Sequence, residues 1–286
     1  MYLSGLSSAG AMPVPQAPRL QRARGVGRIV TQQRDGATRL DQLFQEGCGK
    51  IRLPNTHSDA LEAVLINTAG GLTGGDHLQW QADLAPKGRL VLTTQACERS
   101  YRSTGDIARV ETKLRAGAGS HLDWLPQETI LFAASKLERR LDVDLAEDAT
   151  LTAIEAVLLG RDAMGEDARD AQLRDTWRIR RNGRLIHAEA TQVSGEPGER
   201  DSLSLLAGNG AFASILHVAR TPERANTLCE DLRRLVPAGA AMGMSVTGER
   251  LVVRAMARSG LGLRRLIVPV LSQLSGGARL PRLWHL

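Results

Sequence analysis

Short runs with period-two alternation fill most of this chain and confine it to a fold built from strands. In one run Ala108, Val110, Thr112 and Leu114 share a side; in another Leu141, Val143 and Leu145 do, each with charged residues between. Successive strand side chains point to opposite faces, so this spacing buries one face and wets the other. Comparable runs occupy residues 28–33, 38–44, 49–53, 61–67, 78–84 and 89–95. They continue at 107–115, 121–124, 129–132, 137–145 and 151–159. Glycine or proline turns separate them at roughly ten-residue intervals, the rhythm of a sandwich or a solenoid of strands. Asn182-Gly183, set between 176–180 and 185–191, is a strong hairpin signal.

Helices are expected only late. Thr221-Pro222-Glu223 supplies an N-cap, a first-turn proline and a first-turn acid, and Ala225, Leu228, Leu232, Leu235 and Val236 then share a face until Pro237. A strand at 250–256 precedes an apolar helix over 261–274, with a break or kink expected at Pro269. The fold class expected is therefore mainly β, with many short strands in a sandwich- or solenoid-like arrangement and a small C-terminal helical part. Residues 1–25, rich in Ser, Gly, Ala and Pro, read as a disordered extension, and 26–286 as a single domain.

The segment Asn67-Thr68-Ala69-Gly70-Gly71-Leu72-Thr73-Gly74-Gly75-Asp76 sits between two strand runs. Two glycine pairs so close demand positive φ or close backbone approach. No lysine and no helix follow, so neither phosphate-binding pattern is completed. A small anionic ligand on this Gly-Gly turn, in a β-rich enzyme or binding protein, is the alternative to a structural turn.

Charge is distributed unevenly. Residues 1–34 hold five arginines and no acid, and residues 250–286 hold seven arginines and no acid, so the body between them is acidic. Basic ends suit an acidic protein partner. Neither end interleaves aromatics or shows a nucleic-acid motif, so nucleic acid is not expected. No run reaches the ~18 apolar residues of a membrane span. Cys48, Cys97 and Cys229 are odd in number and widely spaced, a reduced inventory that fits the cytoplasm. Catalytic constellations are scarce, with no Gly-x-Ser-x-Gly elbow and no His-Glu-x-x-His. Cys97 lacks an identifiable activating base and reads as a small buried thiol. Asp76 adjoins His77, and His121 shares a strand face with Asp123, the kind of pair that offers two ligands to a divalent ion.

Five segments together resemble the urease accessory protein UreD family, also called UreH. They are the Asn67–Asp76 stretch; Thr93-Thr94-Gln95-Ala96 through Tyr101-Arg102-Ser103; Leu125-Pro126-Gln127-Glu128-Thr129-Ile130-Leu131-Phe132; Leu159-Gly160-Arg161 with Gly165-Glu166; and the closing Pro281-Arg282-Leu283-Trp284. The family usually has lysine two residues before the tyrosine. Here Arg99 stands there, after Cys97 and Glu98, which keeps charge but not a role needing lysine. The resemblance implies a mostly β, non-enzymatic maturation factor. Its expected partners are UreF, the GTPase UreG and the apo-urease subunits, and it aids nickel insertion and lysine carbamylation in urease. Gly70, Gly71, Gly74, Gly75 and Asp76 would form the signature turn. No tightly bound cofactor is implied, only nickel in transit. Asp76, His77, His121, Glu128 and Glu166 are candidate transient contacts for it. Leu263, Leu266 and Leu274 with Arg264 and Arg265 form a candidate partner-binding helix face.

Overall fold

The computed structural model describes residues 21–56, 58–161, 165–166, 168, 170–194, 201–203, 205–275 and 280–285. Residues 1–20 of the expected extension, and Asp162, Ala163 and Met164 inside the 159–166 segment, lie outside the described residues.

Strands account for 54% of the described residues, so a mainly β core decides the architecture. The chain opens with β1 (Arg24–Arg34), β2 (Ala37–Gly47), β3 (Gly49–Arg52) and β4 (Leu61–Asn67). Next come β5 (His77–Leu84), β6 (Arg89–Thr94), β7 (Glu98–Ser100), β8 (Ala108–Ala116) and β9 (His121–Leu125). After them run β10 (Thr129–Leu131), β11 (Lys136–Leu145), β12 (Thr150–Leu159), β13 (Gln172–Arg181) and β14 (Arg184–Val193). Last are β15 (Ala211–Val218), helix α1 (Pro222–Arg233), β16 (Met242–Thr247), β17 (Arg250–Ala257) and helix α2 (Gly260–Leu274).

Two sheets result. The seven-stranded sheet has the order β14-β13-β11-β8-β5-β1-β2, and the ten-stranded sheet β16-β17-β15-β12-β9-β6-β4-β3 with β10 and β7 attached beside β12. From β4 to β13 the chain passes back and forth, pairing each strand in parallel with its counterpart one coil earlier. Leu84 is opposite Ala116, Ala116 opposite Leu145, and Leu145 opposite Arg181. That register corresponds to a solenoid of roughly 29–36 residues per coil.

The turns stack as well as the strands. Gly117 N donates to Leu84 O at 2.9 Å, Lys87 N to Ala118 O at 2.7 Å, and Ala146 N to Ala116 O at 2.9 Å. The backbone therefore stays hydrogen-bonded where it leaves a sheet, as buried amides require. Antiparallel hairpins close both ends of the seven-stranded sheet, β1 with β2 and β13 with β14. Asn182 (φ +48°) and Gly183 (φ +78°) form the second hairpin's two-residue loop, both in the left-handed region.

One apolar core fills the space between the sheets, with Leu78, Leu114, Leu141 and Trp177 from one side and Leu92, Leu122, Leu151 and Val157 from the other. A second lies between the outer face of the ten-stranded sheet and the helices, built from Ile154, Ile215, Val253, Leu228, Ile267 and Trp284. The strands at 211–218 and 242–247 do not stand out in the sequence. The first is buried on both faces and so lacks alternation. Helix α2 runs unbroken through Pro269; the proline removes one intrahelical bond, and burial of Leu263, Ile267, Val270, Leu271 and Leu274 holds the helix on the sheet. Ordered structure also begins earlier than residue 26, since β1 starts at Arg24.

Candidate functional site

The glycine stretch is the crossing from the ten-stranded sheet, at the end of β4, to the seven-stranded sheet, at the start of β5. Gly71 (φ +147°) sits where a Cβ would overlap the Tyr101 ring, and a Cβ on Gly74 would overlap Ser103 Oγ and the Asp106 carbonyl. Asp76 is buried and ties the crossing to the N-terminal segment: Oδ1 accepts from Ala23 N and Oδ2 from Thr73 N, both at 2.8 Å. The amides of Ala69, Gly70, Leu72, Thr73, Gly75 and Asp76 all donate within the protein. With these six donors used and a carboxylate inside, the turn does not form an anion cradle.

Against this crossing lies β7. Leu72 N donates to Arg99 O and Tyr101 N to Leu72 O, both at 2.7 Å. Asn67 Nδ2 donates to Glu98 Oε1 at 3.2 Å and to the Gly71 carbonyl at 3.2 Å. Burial pushes the Glu98 carboxyl up to about 7, against the opposing hydrogen bonds from Asn67 and the Arg99 amide. Strand β7 pairs in turn with β10, where Glu98 is opposite Thr129.

Further into the space between the sheets, three charged residues interrupt the apolar core. Arg139 shares a strand face with Leu137, Leu141 and Val143; Asp175 shares one with Leu173 and Trp177; Glu155 lies on the Ala153 and Val157 face of β12. Arg139 Nη1 reaches Glu155 Oε2 at 2.5 Å and its Nη2 reaches Asp175 Oδ2 at 2.6 Å, all three side chains being 7% exposed or less. Trp124 Nε1 donates to Glu155 Oε1 at 2.9 Å, and Arg139 Nη1 donates to Thr129 Oγ1 at 2.9 Å. Two carboxylates thus share one guanidinium. Burial drives the Glu155 carboxyl upward, and Asp175 adds to that rise. Asp175 Oδ1 is buried with no hydrogen-bond partner, so the triad keeps a free acceptor.

The Leu125–Phe132 segment forms the corner between β9 and β10, and its acid is claimed by the C-terminal helix. Arg264 Nε donates to Glu128 Oε1 at 2.7 Å and its Nη2 to Glu128 Oε2 at 3.0 Å and to Gln127 Oε1. The guanidinium lies 5.2 Å from the centroid of the Trp284 ring, and Trp284 Nε1 donates to Leu125 O at 3.0 Å. Burial and then the neighbouring Glu128 push the Cys97 thiol up to about 11, so this sulfur is no nucleophile.

The candidate contacts for nickel are spread over these supports. Asp76 is spent on backbone amides and Glu128 on Arg264. Glu166 accepts from Ala133 N at 2.7 Å and from Arg161 Nε at 2.5 Å. His77 Nε2 lies 3.7 Å from Glu111 Oε1. His121 bonds Thr150 Oγ1 at 2.6 Å through Nδ1 and Asp123 Oδ1 at 3.1 Å through Nε2, so the expected pair forms but engages itself. No group of three His, Cys, Asp or Glu side chains converges on a metal position among the described residues. Of the candidate partner face, Leu263 and Leu274 lie in the chain's own core, Arg264 is held by Glu128, Leu266 is half-buried, and Arg265 is exposed. The Arg139–Glu155–Asp175 triad is absent from the sequence reading. Its one signal is parity, because Arg139 falls on the side of Leu137 and Leu141.

The model of a family described as "UreD urease accessory protein" matches residues 23–285. A protein of Chelativorans sp. (strain BNC1) named urease accessory protein UreD is 58% identical over 276 residues, 96% of this chain and 97% of its own length. A protein of the same name from Agrobacterium fabrum is 47% identical over 282 residues, 98% of each chain. Another from Rhizobium rhizogenes is 49% identical over 269 residues, 94% of this chain and 97% of its own.

Proposed function

The chain belongs to the UreD family of urease accessory proteins, and on that premise we propose that it joins UreF and the GTPase UreG on apo-urease and assists nickel insertion there. It is an accessory protein of urease maturation and not a catalyst. The work is done by contact and by what the interior tolerates.

The carboxylate surplus between the sheets carries the nickel part of this reading. Nickel is cargo here and not a resident cofactor. A carboxylate oxygen suits a passing divalent ion, and Asp175 offers one with no competing hydrogen bond. Arg139 beside it keeps the net charge low, so an ion is held weakly and can leave. A closed set of three or four ligands would instead retain it. In this reading Asp76 and Glu128 support the crossing and the corner, while His77, His121 and Glu166 are outer contacts.

No helix among the described residues is long and apolar enough to cross a membrane, and Cys48, Cys97 and Cys229 are free thiols. A reducing cytoplasmic setting, where apo-urease is assembled, belongs to the same proposal. The test is co-purification of the full chain with UreF, UreG and apo-urease, joined to nickel calorimetry on the chain alone. Stable association with a nickel Kd weaker than about 1 μM is expected. A single tight nickel site, or no association, contradicts it.

A further inference from the structure

On the outward face of the seven-stranded sheet the charged side chains stand in lateral rows. Asp83, Arg115, Asp144 and Arg180 are register partners across β5, β8, β11 and β13. Lys113, Asp142 and Arg178 form a second row, and Arg109, Glu138 and Arg174 a third. Sign alternates along each row, so the inner charges find opposite neighbours. Along the rows Arg115 Nη1 lies 3.3 Å from Asp83 and Arg109 Nε 3.5 Å from Glu138, while Asp142 is held within its own strand by Arg140 Nε at 2.5 Å.

All three rows reach β13 on arginine, and the alternation stops there. On β14, Gln192 is opposite Arg174, Ala188 opposite Arg178 and Leu185 opposite Arg180. Arg180 Nη1 lies 3.6 Å from Asp142, a carboxylate already held by Arg140. Arg174 and Arg178 are exposed and have no ion pair among the described residues. Leu185 is 51% exposed beside them, with Ala188 and Ala190 making a shallow apolar shelf. A parallel sheet is ordinarily covered on both faces. Among the described residues both helices pack on the other sheet, and none covers this face.

We propose that this arginine edge, Arg174, Arg178 and Arg180 with Leu185, Ala188 and Ala190 alongside, docks an acidic, partly apolar segment of a partner protein. The Arg174 and Arg178 guanidinium groups, without ion-pair partners among the described residues, steer an acidic surface, and the apolar shelf supplies the short-range burial that retains it. A nucleic acid fits less well. Glu138, Asp142 and Asp144 stand one strand inward and repel a continuous phosphate backbone, and no aromatic side chain of β11, β13 or β14 faces outward to stack bases. The inference is independent of nickel handling.

The test uses the full chain and a fluorescein-labelled peptide of repeated Glu-Glu-Leu-Ala, followed by anisotropy. Affinity is expected to fall about tenfold between about 0.05 M and about 0.3 M salt. At low salt the double substitution Arg174→Glu and Arg178→Glu should weaken binding at least about tenfold without moving the melting temperature. Leu185→Ser should weaken it by a few-fold at both salt levels. Where the double charge reversal disturbs folding, Arg174→Gln with Arg178→Gln answers the same question. Unchanged peptide affinity in the folded variants overturns the proposal. So does tighter binding of an oligothymidine through the same arginines, which marks a general polyanion surface.

Discussion

Arg264 Nε stands 2.7 Å from Glu128 Oε1 across 136 residues of sequence, and this pair fastens the C-terminal helix to the corner between β9 and β10. The Glu128 carboxylate is 2% exposed and Arg264 12%, so neither charge has water to fall back on. Removing one partner leaves the other buried and unpaired, which costs more than the pair contributes. Arg264→Met should lower stability by about 3 kcal/mol in urea unfolding, and adding Glu128→Leu should recover much of that loss. Arg265→Glu, one residue on and exposed, should stay within about 0.5 kcal/mol of the parent.

The interior triad follows the same logic with more at stake. Arg139→Met strands two carboxylates between the sheets and is expected to cost about 3–5 kcal/mol. Replacing all three members by apolar residues of similar size should give a chain at least as stable as the parent. That variant should still associate with its partners, and under the present account it should lose nickel-dependent urease activation. Equal activation by the all-apolar interior would place the nickel route elsewhere.

Strand parity explains what the sequence made legible and what it hid. Alternation at Leu141, Val143 and Leu145 located β11, and Asn182-Gly183 located the hairpin, because both signals are local. The coil repeat has no local signal, because strand pairing sets it across roughly 29–36 residues with turns of unequal length. The triad was hidden because a charged residue in a strand is normally read as outward-facing. Glu138-Arg139-Arg140 looks uniformly wet until Leu137 and Leu141 fix its parity. The glycine turn showed its need for special geometry but not that it joins two different sheets. Arg264 and Glu128, far apart in the chain, gave no sign of each other.

Glycine substitutions should divide by what each glycine meets. Gly70 (φ +78°) has nothing within 4 Å of an added Cβ, so Gly70→Asn, which tolerates the left-handed region, should cost less than about 1 kcal/mol. Gly74→Ala drives a methyl into Ser103 Oγ and the Asp106 carbonyl and should cost about 2 kcal/mol or more. Thermal unfolding of the two variants reports the difference; equal losses would show that the crossing relaxes.

Acidity should leave a trace of Glu98. Its folded pKa, raised by burial to about 7, lies above the unfolded carboxylate value, so the folded state binds the extra proton between about pH 4.5 and 7. The stabilisation is present in full below about pH 4.5 and is lost as pH rises through about 7. Relative to Glu98→Gln, the parent should therefore lose on the order of 2 kcal/mol between pH 5 and pH 8. Parallel stability profiles for parent and variant would mean that water reaches this carboxylate.

Reconstituted activation of apo-urease tests the central claim most directly. Apo-urease is incubated with nickel, bicarbonate, GTP, UreF and UreG, with and without the chain, and urea hydrolysis is then measured together with urease-bound nickel. The account predicts that both activity and bound nickel rise only when the chain is present, and that the chain alone hydrolyses neither urea nor GTP. Full activation without the chain, or activation by the chain without added nickel loading of urease, would contradict it.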